Sequence, residues 1–287
     1  MSGSKKRNNL VMKFTKMHGL GNDFIILGAE ELCKRSFSYS KLAKRLCDRH
    51  FGIGADGLIL VNPPEMESDC DINWRIFNSD GTEPQMCGNG IRCFAKYVYD
   101  KGIVNKKKFS VSALAGVIVS EILDDGKICV DMGEPALEPA KIPVLIENAV
   151  NYPLEIEEKQ INITAVSMGN PHCIVFTEGD TAALAKSLGA KLENHAIFPE
   201  KTNVEFVKVL SRNKIRIDVW ERGCGITLAC GTGACASVVA SVLNNLTGNT
   251  VEVELPGGNL NIKWDRAANK LFMTGGCEFV FEGQFLI

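Results

Sequence analysis

The chain has 287 residues, 45% of them apolar and 23% charged, which is the make-up of an ordinary globular protein with material for one large domain or two of about 140 residues. A net charge of −2 offers no basic field for nucleic acid or an acidic membrane surface, and no apolar run reaches the ~18 residues needed to cross a bilayer. Cysteine occurs 11 times, an odd number with no C-x-x-C pair, so free thiols in a reducing, cytoplasmic setting are expected rather than a disulfide framework or a zinc site.

The polar, basic opening is read as a disordered tail over residues 1–11, with the folded body starting at Met12. From Lys13 a strand runs into His18-Gly19-Leu20-Gly21-Asn22-Asp23-Phe24, and a second strand covers Phe24 to Leu27. Leu42, Leu46 and Cys47 predict a helix between Ser38 and His50, capped by Ser40 and stopped by Gly52. Gly52, Gly54 and Gly57 fit G-x-G-x-x-G, but they precede the strand Leu58 to Val61 instead of opening a helix after one. They are therefore no dinucleotide fingerprint.

Residues 71–78 alternate as a strand, a long polar loop follows, and Ile91, Phe94, Tyr97 and Val98 predict a helix from Cys87 to Gly102. Strands at Val117 to Val119 and Ile128 to Val130 flank the turn Asp124-Asp125-Gly126, and the proline-bearing residues 133–155 are the expected crossing between two halves. The second half carries Gly169-Asn170-Pro171-His172-Cys173, a short helix from Thr181 to Leu188, and strands from Thr202 and Lys214. A helix from Gly231 to Leu243 follows, so apolar on all faces that it is expected inside a sheet. The remainder, to Ile287, alternates as strands.

One unit recurs: a strand, a polar turn, then Cys87-Gly88-Asn89-Gly90 or Cys230-Gly231-Thr232-Gly233 at the start of an apolar helix, the two lying about half the chain apart. Solenoid repeats recur every ~20 to 50 residues, so this spacing means two similar halves. A thiol in the first turn of a helix sits at the positive end of the macrodipole, which lowers its pKa, and the neighbouring glycines let a carboxylate approach the backbone N–H groups. Two such starts would hold an amino acid with a sulfur on either side of its α-carbon. One thiolate would remove the α-hydrogen and the opposite thiol would return a proton, inverting the centre. Taken singly, either cysteine reads better as a buried core thiol, and it is the repeat that turns the reading toward catalysis.

His18 to Phe24, the stretch from Asn78 to Cys93, Gly169 to Cys173 and Glu221 to Cys235 together resemble the diaminopimelate epimerase family. The resemblance implies a cofactor-independent epimerase that interconverts LL- and meso-diaminopimelate for lysine and peptidoglycan synthesis. It also implies an α/β (α+β) fold of two pseudo-symmetric domains, residues 12–131 with 276–287 returning, and 132–275. Each would be a mostly antiparallel sheet wrapped around a central helix, with the active site in the cleft between them. Cys87 and Cys230 match the catalytic pair. Asn22, Asn78, Asn170, Asn203, Glu221 and Arg222 match substrate-holding positions, and Gly88, Asn89, Gly231 and Thr232 match those receiving the reacting carboxylate. His172 is a supporting candidate. Arg222 would fork onto a distal carboxylate and Glu221 would take a distal ammonium. Neither metal nor cofactor, nucleic acid nor membrane is implied, and the assembly expected is a homodimer. Two positions depart from the family pattern: Gly57 replaces a glutamine found in some members, and Ile226 a glutamate found in many. The rival readings are a two-cysteine proline or hydroxyproline racemase, which has little use for Glu221 and Arg222, and a non-catalytic thiol sensor.

Overall fold

A computed structural model describes residues 11–33, 38–64, 69–157 and 159–286. Of the expected tail, residues 1–10 lie outside the described residues, and Val11 already opens the first strand. The chain divides into two compact units. One holds the described residues up to Gly19, Asp23–Val117 and those from Cys277 onward; the other holds Leu20–Asn22 and Ile118–Gly276. The break at Val117/Ile118 falls ahead of the expected 131/132 boundary. Residues 133–155 are not a crossing but part of the second unit, because Ile142, Val144 and Ala149 are buried in its core and the Leu145 N–H donates to Ile197 O at 2.8 Å.

In the first unit Val11–Gly19 pairs antiparallel with Glu278–Leu286, running from Val11 opposite Leu286 to His18 opposite Glu278. Asn22–Leu27 lies parallel to Gly57–Asn62, which is antiparallel to Ile72–Asn78, which is parallel to Lys108–Ala113. Parallel neighbours need a crossover, and two helices supply it. The first, Tyr39–Cys47, begins after Ser38 rather than at Ser40 and ends before Asp48, whose carboxylate accepts the N–H groups of His50 and Phe51 at 2.7 and 2.8 Å. Gly52 is thus no helix stop. It packs so tightly on the last turn that a Cβ there would lie 2.2 Å from Arg45 O. The second, Gly88–Asp100, buries Ile91, Phe94, Tyr97 and Val98 as their spacing predicts, and ends where Gly102 (φ +67°) donates to Tyr99 O at 2.9 Å.

The same order recurs in the second unit. Pro171–Phe176 lies parallel to Asn203–Ser211, which is antiparallel to Lys214–Glu221, which is parallel to Thr250–Leu255. Its crossovers are the helices Thr181–Glu193 and Gly231–Leu243. The first runs well past the expected Leu188, because Gly189 is not a break: a Cβ there would lie 2.6 Å from Trp220 Cγ, so the glycine lets the helix settle on the indole. At its far end Glu193 accepts the Trp220 Nε1–H at 2.7 Å. The helix Gly231–Leu243 is buried over nearly its whole length and packs against the surrounding strands, as its apolar circumference predicts. Antiparallel pairs prevail in the second unit, both kinds occur in the first, and the result is a mixed α/β fold of two pseudo-symmetric domains. Among the described residues no helix is long and apolar enough to cross a membrane.

The helix that carries Cys87 at its start is anchored by Phe94, fully buried and edge-on to Trp74 with ring centroids 5.7 Å apart. Phe94→Ala is expected to destabilise the fold by about 3 to 5 kcal/mol through lost transfer energy and a residual cavity, read by urea unfolding; a loss below about 1 kcal/mol would show that this contact does not anchor the helix.

Candidate active site

Both cysteines of the repeat are N-caps, one position outside the first turn where the sequence placed them. Cys87 (φ −143°, ψ 109°) and Cys230 (φ −119°, ψ 112°) have extended backbones, and each sulfur accepts the N–H three residues on, from Gly90 and Gly233, at 3.4 Å. Sulfur here takes the place of the usual capping oxygen. Glycine is required at the donor position of the second loop, where a Cβ on Gly233 would lie 2.5 Å from Glu205 Oε1. Gly88 and Asn89, and likewise Gly231 and Thr232, are the first residues of their helices, where N–H groups lack intrahelical acceptors and attract anions.

In the first unit Cys87 is half-buried and Asn78 is exposed at the end of its strand. Asn78 Nδ2 donates to Thr82 Oγ1 at 2.9 Å, and the Asp80 carboxylate accepts from the same hydroxyl at 2.6 Å, so the polar loop braces itself. Beneath the Cys87 loop lies Arg92, fully buried, whose guanidinium donates to Gly88 O at 3.0 Å and Asn89 Oδ1 at 2.8 Å. Arg92 was not singled out from the sequence, where Asn89 and Lys96 share its helix face and give no sign that it is buried.

The second unit brings together Asn170, His172, Asn203, Glu221, Arg222, Cys230, Gly231 and Thr232. Asn203 Nδ2 donates to Pro171 O, and its Oδ1 accepts the Arg222 N–H, both at 2.9 Å. The exposed Arg222 side chain donates to Glu200 O at 3.0 Å. Glu221 Oε1 accepts from Thr227 Oγ1 at 2.5 Å. Thr232 Oγ1 lies 3.5 Å from Cys230 Sγ and 3.4 Å from Asn170 Nδ2. Behind them His172 and Glu205, both fully buried, meet at 2.7 Å between Nδ1 and Oε1, and His172 Nε2 lies 3.0 Å from Asn170 Oδ1. Glu205 is the second residue that the sequence reading passed over. Its signal was an acid two positions after Asn203, and hence on the same face of a strand that is otherwise apolar there. Asn22 belongs with this unit, in the turn whose Gly21 (φ +84°) sits against Leu228 of the Cys230 loop.

The electrostatics correct one expectation. Burial pushes the Cys230 thiol well above its usual range, and the charges of Glu221 and Glu205 push it the same way, against weaker help from Thr232 and the Gly233 N–H. Burial likewise raises the Glu221 carboxyl, which the Thr227 hydroxyl opposes. At Cys230, then, the helix start does not produce a thiolate near neutral pH. The two departures from the family pattern also find a physical setting. A Cβ at Gly57 would lie 2.9 Å from Phe77 O, leaving no room for a side chain, and Ile226 is an exposed residue of the short strand whose Thr227 braces Glu221. Among the described residues no group of three or more His, Cys, Asp or Glu side chains is placed to hold a metal ion.

The fold is that of a known two-domain class. A hydroxyproline epimerase from Agrobacterium vitis, solved with trans-4-hydroxy-L-proline, superposes with a TM-score of 0.69 at 13% identity, over 96% of this chain and 93% of that one. The sequence narrows the class. The profile of the diaminopimelate epimerase family matches residues 14–138 and 164–280. The diaminopimelate epimerase of Heliobacterium modesticaldum is 51% identical over 95% of this chain and 99% of its own length, and that of Desulfovibrio desulfuricans 48% identical over 97% and 99%. The chain belongs to the diaminopimelate epimerase family and is an isomerase.

Thiol alkylation tests the electrostatics directly. With iodoacetamide at pH 7, peptide mapping is expected to show the exposed Cys33 and Cys224 labelled well before buried Cys230, whose rate climbs only as alkaline pH produces its thiolate. Labelling of Cys230 as fast as Cys224 at pH 7 would contradict this.

Proposed function

We propose that the chain epimerises LL-2,6-diaminopimelate to meso-2,6-diaminopimelate without a cofactor, by α-proton transfer between the Cys87 and Cys230 thiols. The observation that carries this reading is the twice-built helix start, each with a cysteine N-cap and a glycine-flanked run of N–H groups, in a member of this family. An α-hydrogen is far less acidic than a thiol, so the carbanion must be stabilised as it forms. Preorganised N–H donors at Gly88, Asn89, Gly231 and Thr232 would take the charge that develops on the reacting carboxylate. Cys230, kept as a neutral thiol by burial and by its acidic neighbours, is the proton donor at rest, and Cys87 supplies the base.

Substrate choice rests on the remaining residues. The exposed Arg222 would exchange its bond to Glu200 O for the distal carboxylate, presenting its planar fork, with Asn22, Asn78, Asn170 and Asn203 fixing the rest. Glu221 is better placed for the ammonium of the reacting centre than for the distal one, because its carboxyl bears on Cys230 itself. His172 supports Asn170 from behind. The reaction would serve lysine and peptidoglycan precursor synthesis in the cytoplasm, a setting consistent with 11 free cysteines. A homodimer is supported by the partly exposed apolar residues Val280, Phe281 and Leu286 on the last strand.

Inversion needs an acid and a base on opposite faces, so Cys87→Ala and Cys230→Ala are each expected to lower kcat for LL-diaminopimelate by at least ~10²-fold. Arg222→Met is expected to raise KM roughly tenfold or more through loss of a charge-assisted pair. Near-normal turnover in either cysteine variant would end the two-thiol reading, and an unchanged KM in the arginine variant would remove Arg222 from the substrate site.

A further inference from the structure

The turn that carries Arg222 is exposed and is held from behind. It joins Lys214–Glu221 to the short strand Gly225–Thr227, with Glu221 opposite Gly225. Arg222, Gly223 and Cys224 are all exposed, and Gly223 has φ +76°, so hydrogen bonds rather than packing must fix where the turn stands. The Arg222 N–H donates to Asn203 Oδ1. The next N–H, that of Gly223, donates at 2.9 Å to Oε1 of Glu193, whose other oxygen accepts the Trp220 Nε1–H at 2.7 Å. One carboxylate thus grips the chain on both sides of Glu221 and Arg222.

Glu193 occupies a place that disfavours a carboxylate. It is the last residue of the helix Thr181–Glu193, at the negative end of the macrodipole, and is only 6% exposed. Its two partners account for the residue type. A backbone N–H and an indole N–H can only donate, and a carboxylate has an acceptor oxygen for each. A glutamine has one acceptor oxygen and would leave one of the two N–H groups facing its amide nitrogen. The indole is seated in its turn on Gly189 of the same helix, where a Cβ would lie 2.6 Å from Trp220 Cγ. The end of this helix therefore sets the position of the turn.

We propose that Glu193 is a positioning residue for substrate recognition: by holding the Trp220 indole and the Gly223 N–H it fixes the turn from which Arg222 reaches the distal carboxylate. The kinetic consequence rests on the epimerase reading, whereas the anchoring of the turn does not. Glu221, one residue before Arg222, is braced separately by Thr227. Loss of Glu193 therefore acts through Arg222 and appears in substrate binding rather than in proton transfer at Cys230.

The test is a short series of variants. Glu193→Gln leaves one N–H without an acceptor, and KM for LL-diaminopimelate is expected to rise roughly tenfold while kcat stays within about threefold of wild type. Adding Trp220→Phe removes the competing donor and frees the glutamine oxygen for Gly223, which is expected to bring KM back to within about threefold of wild type. In an Arg222→Met background Glu193→Gln is expected to change KM by less than about twofold, since the two residues act through one contact. An unchanged KM in Glu193→Gln overturns the proposal, as does a rise just as large in the Arg222→Met background or no recovery on adding Trp220→Phe. A fall in kcat at constant KM, the mark of lost folded enzyme, overturns it too. Should the variants not fold, or the wild-type protein prove inert toward diaminopimelate, hydrogen exchange in the wild-type protein decides the anchoring. The Gly223 N–H and the Trp220 indole N–H are each expected to exchange at least about tenfold more slowly than in an unstructured peptide, and exchange at the peptide rate overturns the proposal. An inert wild-type protein that keeps this protection would sink the substrate reading and leave the anchor standing.

Discussion

The chemistry proposed for this fold depends on a sulfur atom standing where a helix usually keeps an oxygen. In the N-cap position Cys87 and Cys230 each accept the N–H three residues on, from Gly90 and Gly233, where a Cβ would crowd Ile76 and Glu205. The parallel–antiparallel–parallel order of strands in each unit exists to deliver such a helix start, because a parallel neighbour demands a crossover and the crossover is the cysteine helix.

The two starts are alike in backbone and unlike in what lies beneath them. Arg92, a buried cation, supports the Cys87 loop, whereas the Cys230 loop rests near two carboxylates, Glu205 and Glu221. At Cys230 two influences oppose each other, and their magnitudes decide the outcome. A helix terminus favours an anion by at most ~2 kcal/mol, while full burial disfavours a charged group by up to roughly 3 to 5 pKa units. Burial wins, and the carboxylates reinforce it. One half is thereby suited to donate a proton, which fits the proposed pairing of one acid with one base.

Much of this was legible in the chain, because it is written in local pattern. The helical spacing of Ile91, Phe94, Tyr97 and Val98 gives the first cysteine helix, and the apolar circumference of Gly231–Leu243 gives its burial. Glycines misled where their reason was tertiary. Gly189 looks like a helix end and is a seat for Trp220, and Gly52 looks like a stop and is a close approach to Arg45. The prolines of 133–155 suggested a linker, while the apolar residues between them fasten the segment to a core. The cysteine pair was visible through its repetition; Glu205 had only the weak signal of an acid in an apolar strand, and Arg92 had none, since its burial is known only from its surroundings. For the same reason a helix start in the sequence implies a lowered thiol pKa, and only the packing around Cys230 reverses it.

The most direct measurement is proton NMR of the reduced, metal-free protein with LL-diaminopimelate in D2O and no added cofactor. Two-thiol proton transfer predicts that the meso isomer accumulates with deuterium at the inverted α-carbon. Exchange with proline or hydroxyproline but not with diaminopimelate would keep the mechanism and contradict the substrate, and an absence of exchange with all of them would contradict both.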